Sequence, residues 1–176
     1  MKELLTTERL LLRKIHVSDS ESLFSIWSDP DVTKYMNIDR FTDVSQAREM
    51  IELLNHLSQE NKAIRYSIIK KDTQDIIGSC GYNSLVYDHS KVELGYEISK
   101  AYWGKGYAPE AISSLVHYAF NSLGMNRIEA RVEPANKSSV KVLQKLNFTF
   151  EGTMRKCEKS KGRFIDLSIF SKLITD

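Results

Sequence analysis

The period of the apolar residues changes abruptly at one place in this chain. Val92, Leu94, Tyr96 and Ile98 alternate with Glu93, Gly95, Glu97 and Ser99, as a half-buried strand requires. Beyond Trp103-Gly104-Lys105-Gly106-Tyr107-Ala108, apolar residues fall at Ile112, Leu115, Val116, Ala119, Phe120 and Leu123, which is a helical stripe. A strand that passes through a Gly-x-Gly turn into a helix makes an anion site. The first N–H groups of a helix have no intrahelical partner, and the helix dipole adds partial positive charge there. Glycines let the backbone approach an oxyanion closely. Lys105 either adds a charge at that anion or is solvated. Pro109 suits the first helical turn, where its missing N–H costs little.

Gly-x-Gly alone is a weak signal, but its surroundings narrow it. A nucleoside-triphosphate loop needs Gly-x-x-x-x-Gly followed by Lys and Ser or Thr, which is absent here. The dinucleotide fingerprint needs a third glycine where this chain has Pro109, and expects a parallel βαβ unit early in the fold.

The rest of the chain supplies the frame. Residues 9–15 read as a first strand. A short helix through Leu23, Ile26 and Trp27 stops near Asp29-Pro30, because the residue before proline avoids helical angles. Asp43 caps a second helix with Ala47, Ile51 and Leu54 on one face. Ile64, Tyr66 and Ile68 alternate in a strand, Asp72 to Asp75 form a turn, and residues 76–86 make a longer strand. There Gly78 and Gly81 suggest bends or close backbone approach. Ile128, Ala130 and Val132 alternate with charges until Pro134. Asn136 or Ser138 caps another helix, and residues 148–157 and 164–170 close the chain as a hairpin around Gly162. The expected fold is a single α+β domain over residues 1–176. It has about seven strands in a mixed, mostly antiparallel sheet and four helices.

Composition excludes several classes. The formal net charge is +2 with Lys and Arg spread throughout, so neither nucleic acid nor a membrane surface is an expected partner. No apolar run approaches the ~18 residues of a membrane span. The N-terminal residues lack a signal-peptide core. Cys80 and Cys157 are far apart and fit no metal or redox spacing, which favours a reducing cytoplasm. His16, His56, His89 and His117 are scattered, and no metal site is expected.

Several separated segments resemble, in the right order, the GNAT superfamily of acyl-CoA N-acyltransferases. The nearest likeness is to the ribosomal-protein N-terminal acetyltransferases of the RimJ/RimL type. The segments are Thr7-Glu8-Arg9 with the apolar run after it, Glu93-Leu94-Gly95-Tyr96, and residues 102–111. Asn136-Lys137-Ser138-Ser139 through Phe148, residues 150–155 and residues 162–166 complete them. The resemblance implies acetyl-CoA as co-substrate, with splayed central strands to hold it. Its pyrophosphate loop is Gln/Arg-x-x-Gly-x-Gly/Ala, which falls here on Trp103, Gly104, Lys105, Gly106, Tyr107 and Ala108. Gly106 and Ala108 match; Trp103 departs from Gln/Arg. Tyr96, Glu97 and Ile98 would pair with the pantetheine arm, and Asn136 matches the asparagine that holds the same arm.

The chemistry needs a base for the amine, a donor for the thioester carbonyl and a proton for the leaving thiolate. By resemblance Glu158 is the first candidate base, in a cleft where burial raises a carboxylate pKa. Glu93, on the central strand, is the second. Ser139 matches a proposed acid, and alternatively contacts CoA or caps a helix. Many relatives use a tyrosine where this chain has Leu143. Asp166 orients the amine or the closing hairpin. Trp27, Tyr35 and Met36 wall the acceptor cleft or belong to the core. The acceptor implied is a protein N-terminus, with a small amine (polyamine, amino acid or antibiotic) as the alternative. A CoA-binding module without turnover is a further alternative. A homodimer is the family's common habit.

Overall fold

In the computed structural model, which describes residues 1–176, the alternating segments are strands: β1 (Leu4–Thr6), β2 (Leu10–Lys14), β3 (Ile64–Lys70), β4 (Ile76–Val86), β5 (Lys91–Ile98), β6 (Arg127–Val132), β7 (Thr149–Ser160) and β8 (Arg163–Leu173). The helices are α1 (Ser20–Trp27), α2 (Pro30–Thr33), α3 (Val44–Gln59), α4 (Tyr107–Asn121) and α5 (Lys137–Lys145). All strands share one sheet in the order β1-β2-β3-β4-β5-β6-β8-β7. Only the β5–β6 pair is parallel; every other neighbouring pair is antiparallel.

The sequence expectation of seven strands and four helices is short by one of each. Strand β1 has three residues, too few for a period to show, and is fixed by pairing Leu5 with Leu12. Helix α2 is a single turn, opened by Pro30 and capped by Asp29, whose side chain accepts from the Asp31 N–H at 2.8 Å. Pro30 therefore ends one helical path and begins another, as its fixed φ and missing donor allow. Asp43 caps α3 and Asn136 caps α5, each accepting from a backbone N–H in the first turn.

Alternation sorts the two faces of the sheet. Tyr66, Cys80, Tyr82, Leu94 and Tyr96 turn toward α4 and α5, where Ala111, Ile112, Leu115 and Leu143 complete the main core. Leu115 is fully buried, and truncating it to Ala would cost about 2–5 kcal/mol. Arg65, Ser67, Ser79, Glu93 and Glu97 turn the other way, toward α1 and α3. There Ile15, Leu23, Trp27, Phe41 and Ile51 form a smaller core. Strand β4 fits between its neighbours only because of its glycines. A Cβ at Gly78 would lie 2.2 Å from the Glu97 carbonyl oxygen, and one at Gly81 would lie 2.0 Å from that of Ile64.

Strands β5 and β6 pair only from Lys91↔Arg127 to Leu94↔Ala130. Beyond that point β5 continues to Ile98 beside β4, while β6 stays with β8 and ends before Pro134. The sheet is split between them.

Candidate active site

The split leaves backbone groups of β5 without a strand partner. Ser99 N–H donates to the Ile77 carbonyl. Antiparallel alternation then directs the peptide groups of Glu97 and Gly95 toward β4, and those of Tyr96 and Ile98 into the gap. The Ile98 carbonyl there accepts from Trp103 Nε1 at 2.7 Å. Of the strand residues expected to meet a pantetheine arm, Tyr96 and Ile98 thus offer peptide groups. Glu97 does not, and contributes to the site through its side chain.

On the α4–α5 side of the gap lies the glycine loop. Gly104 and Gly106 have φ of +73° and +82°, left-handed values that favour glycine. Helix α4 begins at Tyr107, with Gly106 at its N-cap position. The N–H groups of residues 104–108 donate to no acceptor in the protein, so they present an unfilled row of donors at a helix N-terminus. Arg9, at the start of β2, braces this loop. Its guanidinium bonds Glu110 at 2.7 Å and the Lys105 carbonyl at 3.0 Å, and lies 4.4 Å from the centre of the Tyr107 ring. Lys105 lies over the Tyr102 ring at 5.4 Å.

Farther along the gap, Tyr96 and Ser139 are joined by a hydroxyl–hydroxyl hydrogen bond of 2.8 Å. Burial pushes the Tyr96 phenol up to about 12, against a smaller opposing effect of the Ser139 hydrogen bond. Leu143, where many relatives have a tyrosine, lines the same cavity as this pair. Asn136 both lines the cavity and caps α5, its Oδ1 accepting from Ser139 N–H at 3.2 Å. Loop donors at a helix start suit an anionic ligand, and unpaired strand groups beside hydroxyls suit a polar one that can complete the sheet's hydrogen bonds.

The α1–α3 side is different in kind. Glu97 and Arg65 form a buried ion pair. Ser79 and Trp27 also donate to the Glu97 carboxylate, Trp27 Nε1 at 3.0 Å. Arg65 reaches Ser79 at 2.8 Å and Asn83 Oδ1 at 3.2 Å. Glu93 pairs with Arg131 at 3.4 Å and Glu133 with Arg163 at 3.1 Å. Glu158 is half-buried and accepts from Asn37 Nδ2 at 2.5 Å.

One cavity of about 520 Å³ connects the two sides through the gap. It brings together Glu93, Tyr96, Glu97, Asn136, Ser139 and Glu158, with Trp27, Tyr35 and Met36 in its wall. Trp27 belongs to the smaller core and also lines the cavity. Residues 103–108 and Ile98 lie outside this lining, and Asp166 does too. Asp166 instead accepts from Lys156 N–H at 2.9 Å and holds the bulge of β7.

Sequence reasoning missed Arg65, Asn83, Asn37 and Glu133. Arg65 lies at a polar position of an alternating strand, where a solvated charge is the ordinary reading. Asn83 falls at a register shift between Tyr82 and Ser84 that no pattern announces.

The family described as Acetyltransferase (GNAT) domain matches residues 9–149, and the chain belongs to it. An uncharacterized N-acetyltransferase, p20 of Bacillus licheniformis, is 53% identical over 97% of this chain and 96% of its own. The [Ribosomal protein uS5]-alanine N-acetyltransferase of Escherichia coli is 27% identical over 84% of this chain and 79% of its own. The solved GNAT-family acetyltransferase of Bacillus anthracis superposes with a TM-score of 0.88 at 26% identity, over 98% of this chain and 99% of that one. The protein is an N-acetyltransferase of the GNAT family, with the mixed, split sheet that its sequence led us to expect.

Proposed function

We propose that the enzyme transfers acetyl from acetyl-CoA to a primary amine by direct attack in a ternary complex, and that the acceptor is the N-terminal α-amine of a protein. The observation that carries this reading is the charge balance of the cavity. Glu93, Glu97 and Glu133 each have an arginine partner, whereas Glu158 has only the Asn37 amide. A single uncompensated carboxylate suits one ammonium group better than the several charges of a polyamine. The uS5-alanine relative supports a protein acceptor.

In this reading acetyl-CoA enters from the α4–α5 side, with its phosphates on the N–H groups of residues 104–108. The amine enters from the side of α1 and α3. Glu158, directly or through water, takes a proton from the ammonium, and the free amine attacks the thioester carbon. The oxyanion accepts from a β5 N–H that faces the gap, and the end of β5–β6 pairing at Leu94 supports the Tyr96 N–H in that role. As the carbon–sulfur bond breaks, the thiolate takes a proton from Ser139, and Ser139 takes one from the Tyr96 hydroxyl. Tyr96 is reprotonated through water by the second proton that the attacking nitrogen sheds. CoA thus leaves as the thiol, the amide is neutral and Glu158 returns its proton to solvent. Glu93, tied to Arg131, is the reserve candidate for the base. The setting proposed is the cytoplasm, whose reducing conditions suit the exposed free thiol of Cys157.

The test is thiol release and product mass with acetyl-CoA and an acceptor panel. Peptides with the N-termini of ribosomal proteins, spermidine, free amino acids and an aminoglycoside form its arms. Acetylation at the peptide α-amine is expected. Turnover confined to spermidine or the aminoglycoside would overturn the acceptor assignment. CoA binding without thiol release on any acceptor would overturn catalysis.

A further inference from the structure

Asn83 is the inserted residue of the β4 bulge, since Tyr82 pairs with Leu94 and Ser84 with Glu93. Bulges re-aim a side chain, and this one sends the Asn83 amide across the backbone of β5. A Cβ at Gly95 would lie 2.5 Å from both Asn83 Nδ2 and Oδ1, so the glycine is what leaves room for the amide. The orientation of the amide is set chemically. Arg65 Nη1 can only donate, so the atom it meets at 3.2 Å must be the oxygen. Arg65 is itself held by Glu97 and by Ser79. Asn83 is exposed into the cavity, and its Nδ2 donates to no group of the protein.

A fixed, free amide donor on the acceptor side calls for an acceptor oxygen. The geometry points to Asn83 as a specificity-determining residue that donates from Nδ2 to a carbonyl oxygen adjacent to the amine being acetylated. The acceptors selected are then α-amino carbonyl compounds, such as the first residue of a polypeptide or an amino-acid amide. Simple alkylamines and polyamines lack that oxygen. The inference rests on the assignment of the α1–α3 side to the acceptor, and it deepens the protein-N-terminus reading. It adds a residue and a chemical reason.

The experiment uses Asn83→Asp and Asn83→Ala with two acceptors, L-alanyl-L-alaninamide and sec-butylamine. Asp keeps the oxygen that Arg65 requires and removes the donor but adds a negative charge, whereas Ala removes the amide without adding one, so a loss shared by both variants belongs to the missing donor. Each variant is compared with wild type on the same acceptor, so the different basicities of the amines cancel. For the dipeptide amide, kcat/KM should fall about tenfold in both variants, the usual worth of one hydrogen bond. For sec-butylamine it should change less than about twofold, and the acetyl-CoA KM should stay constant. Equal losses on both acceptors, or no loss on the dipeptide amide, would overturn the role of Asn83. A wild-type enzyme that shows no preference for the carbonyl-bearing amine would overturn it too, leaving the transferase reading intact. A wild-type enzyme that acetylates neither amine nor any other member of the acceptor panel would sink both.

Discussion

The two sides of the split sheet perform their parts with different materials. On the α4–α5 side the free polar groups are backbone N–H groups, held by left-handed glycines and a helix start, together with the Tyr96 and Ser139 hydroxyls. On the α1–α3 side they are charged and amide side chains that hold one another, from Arg65 and Glu97 to Asn37 and Glu158. Backbone donors bind an invariant part of a substrate whatever the neighbouring side chains are. A side-chain network can be rearranged to suit an acceptor.

The comparison can be broken most forcefully at Glu97. Replacing it by Gln leaves the Arg65 charge buried without a counter-ion, which should cost about 3–5 kcal/mol in thermal or urea unfolding. A variant as stable as wild type would mean that the network does not frame the acceptor side. Next in size is Glu158→Gln, which should lower kcat by about a hundredfold or more while the CoA dissociation constant holds. Unchanged turnover would remove Glu158 as base and leave Glu93 to be tested. On the opposite side, Ser139→Ala and Tyr96→Phe should each lower kcat by about tenfold. The double variant should lose little more than either one, because a relay is broken once. With its phenol near 12, Tyr96 keeps its proton well above neutral pH, so it should add no basic limb to the pH–rate profile. Gly106→Ala forces a Cβ onto a left-handed residue, at a cost of about 1–2 kcal/mol. It should raise the acetyl-CoA KM several-fold without moving the acceptor KM.

The smallest effect belongs to neither side and serves as a control. Glu151 bonds Arg127 and Ser171, and chiefly the Arg127 guanidinium holds its carboxyl down to about 2 from an ordinary 4.5. Its folded pKa is depressed. Its contribution is therefore complete above about 4.5 and disappears as the pH falls toward 2. The side chain is 40% exposed, so Glu151→Gln should cost no more than about 1 kcal/mol at neutral pH. In melting curves that cost should shrink on acidification, with no change in turnover.

Legibility in the sequence follows the same division. The glycine loop, the α4 stripe and the Asn136 cap are local, so they leave spacing that can be read along the chain. The order of strands around them was readable for the same reason, apart from β1 and α2, which are shorter than one clear period. The α1–α3 side, the proposed acceptor side, is assembled from residues far apart, such as Arg65 with Glu97 and Asn37 with Glu158. Each of them alone looks like a solvated polar position. Glu158 is singled out in the sequence only by family resemblance, because nothing local distinguishes it from Lys156 or Lys159 as one more charge on a hairpin. Asn83 left no trace, since a bulge depends on what the partner strand does.

Hydrogen–deuterium exchange of the enzyme with and without CoA tests the central division most directly. The free N–H groups of residues 104–108 and the gap-facing N–H groups of Tyr96 and Ile98 should exchange readily alone and become protected when CoA is bound. The hairpin around Glu158 should change little. Protection confined to that hairpin, with residues 104–108 unaffected, would contradict the account.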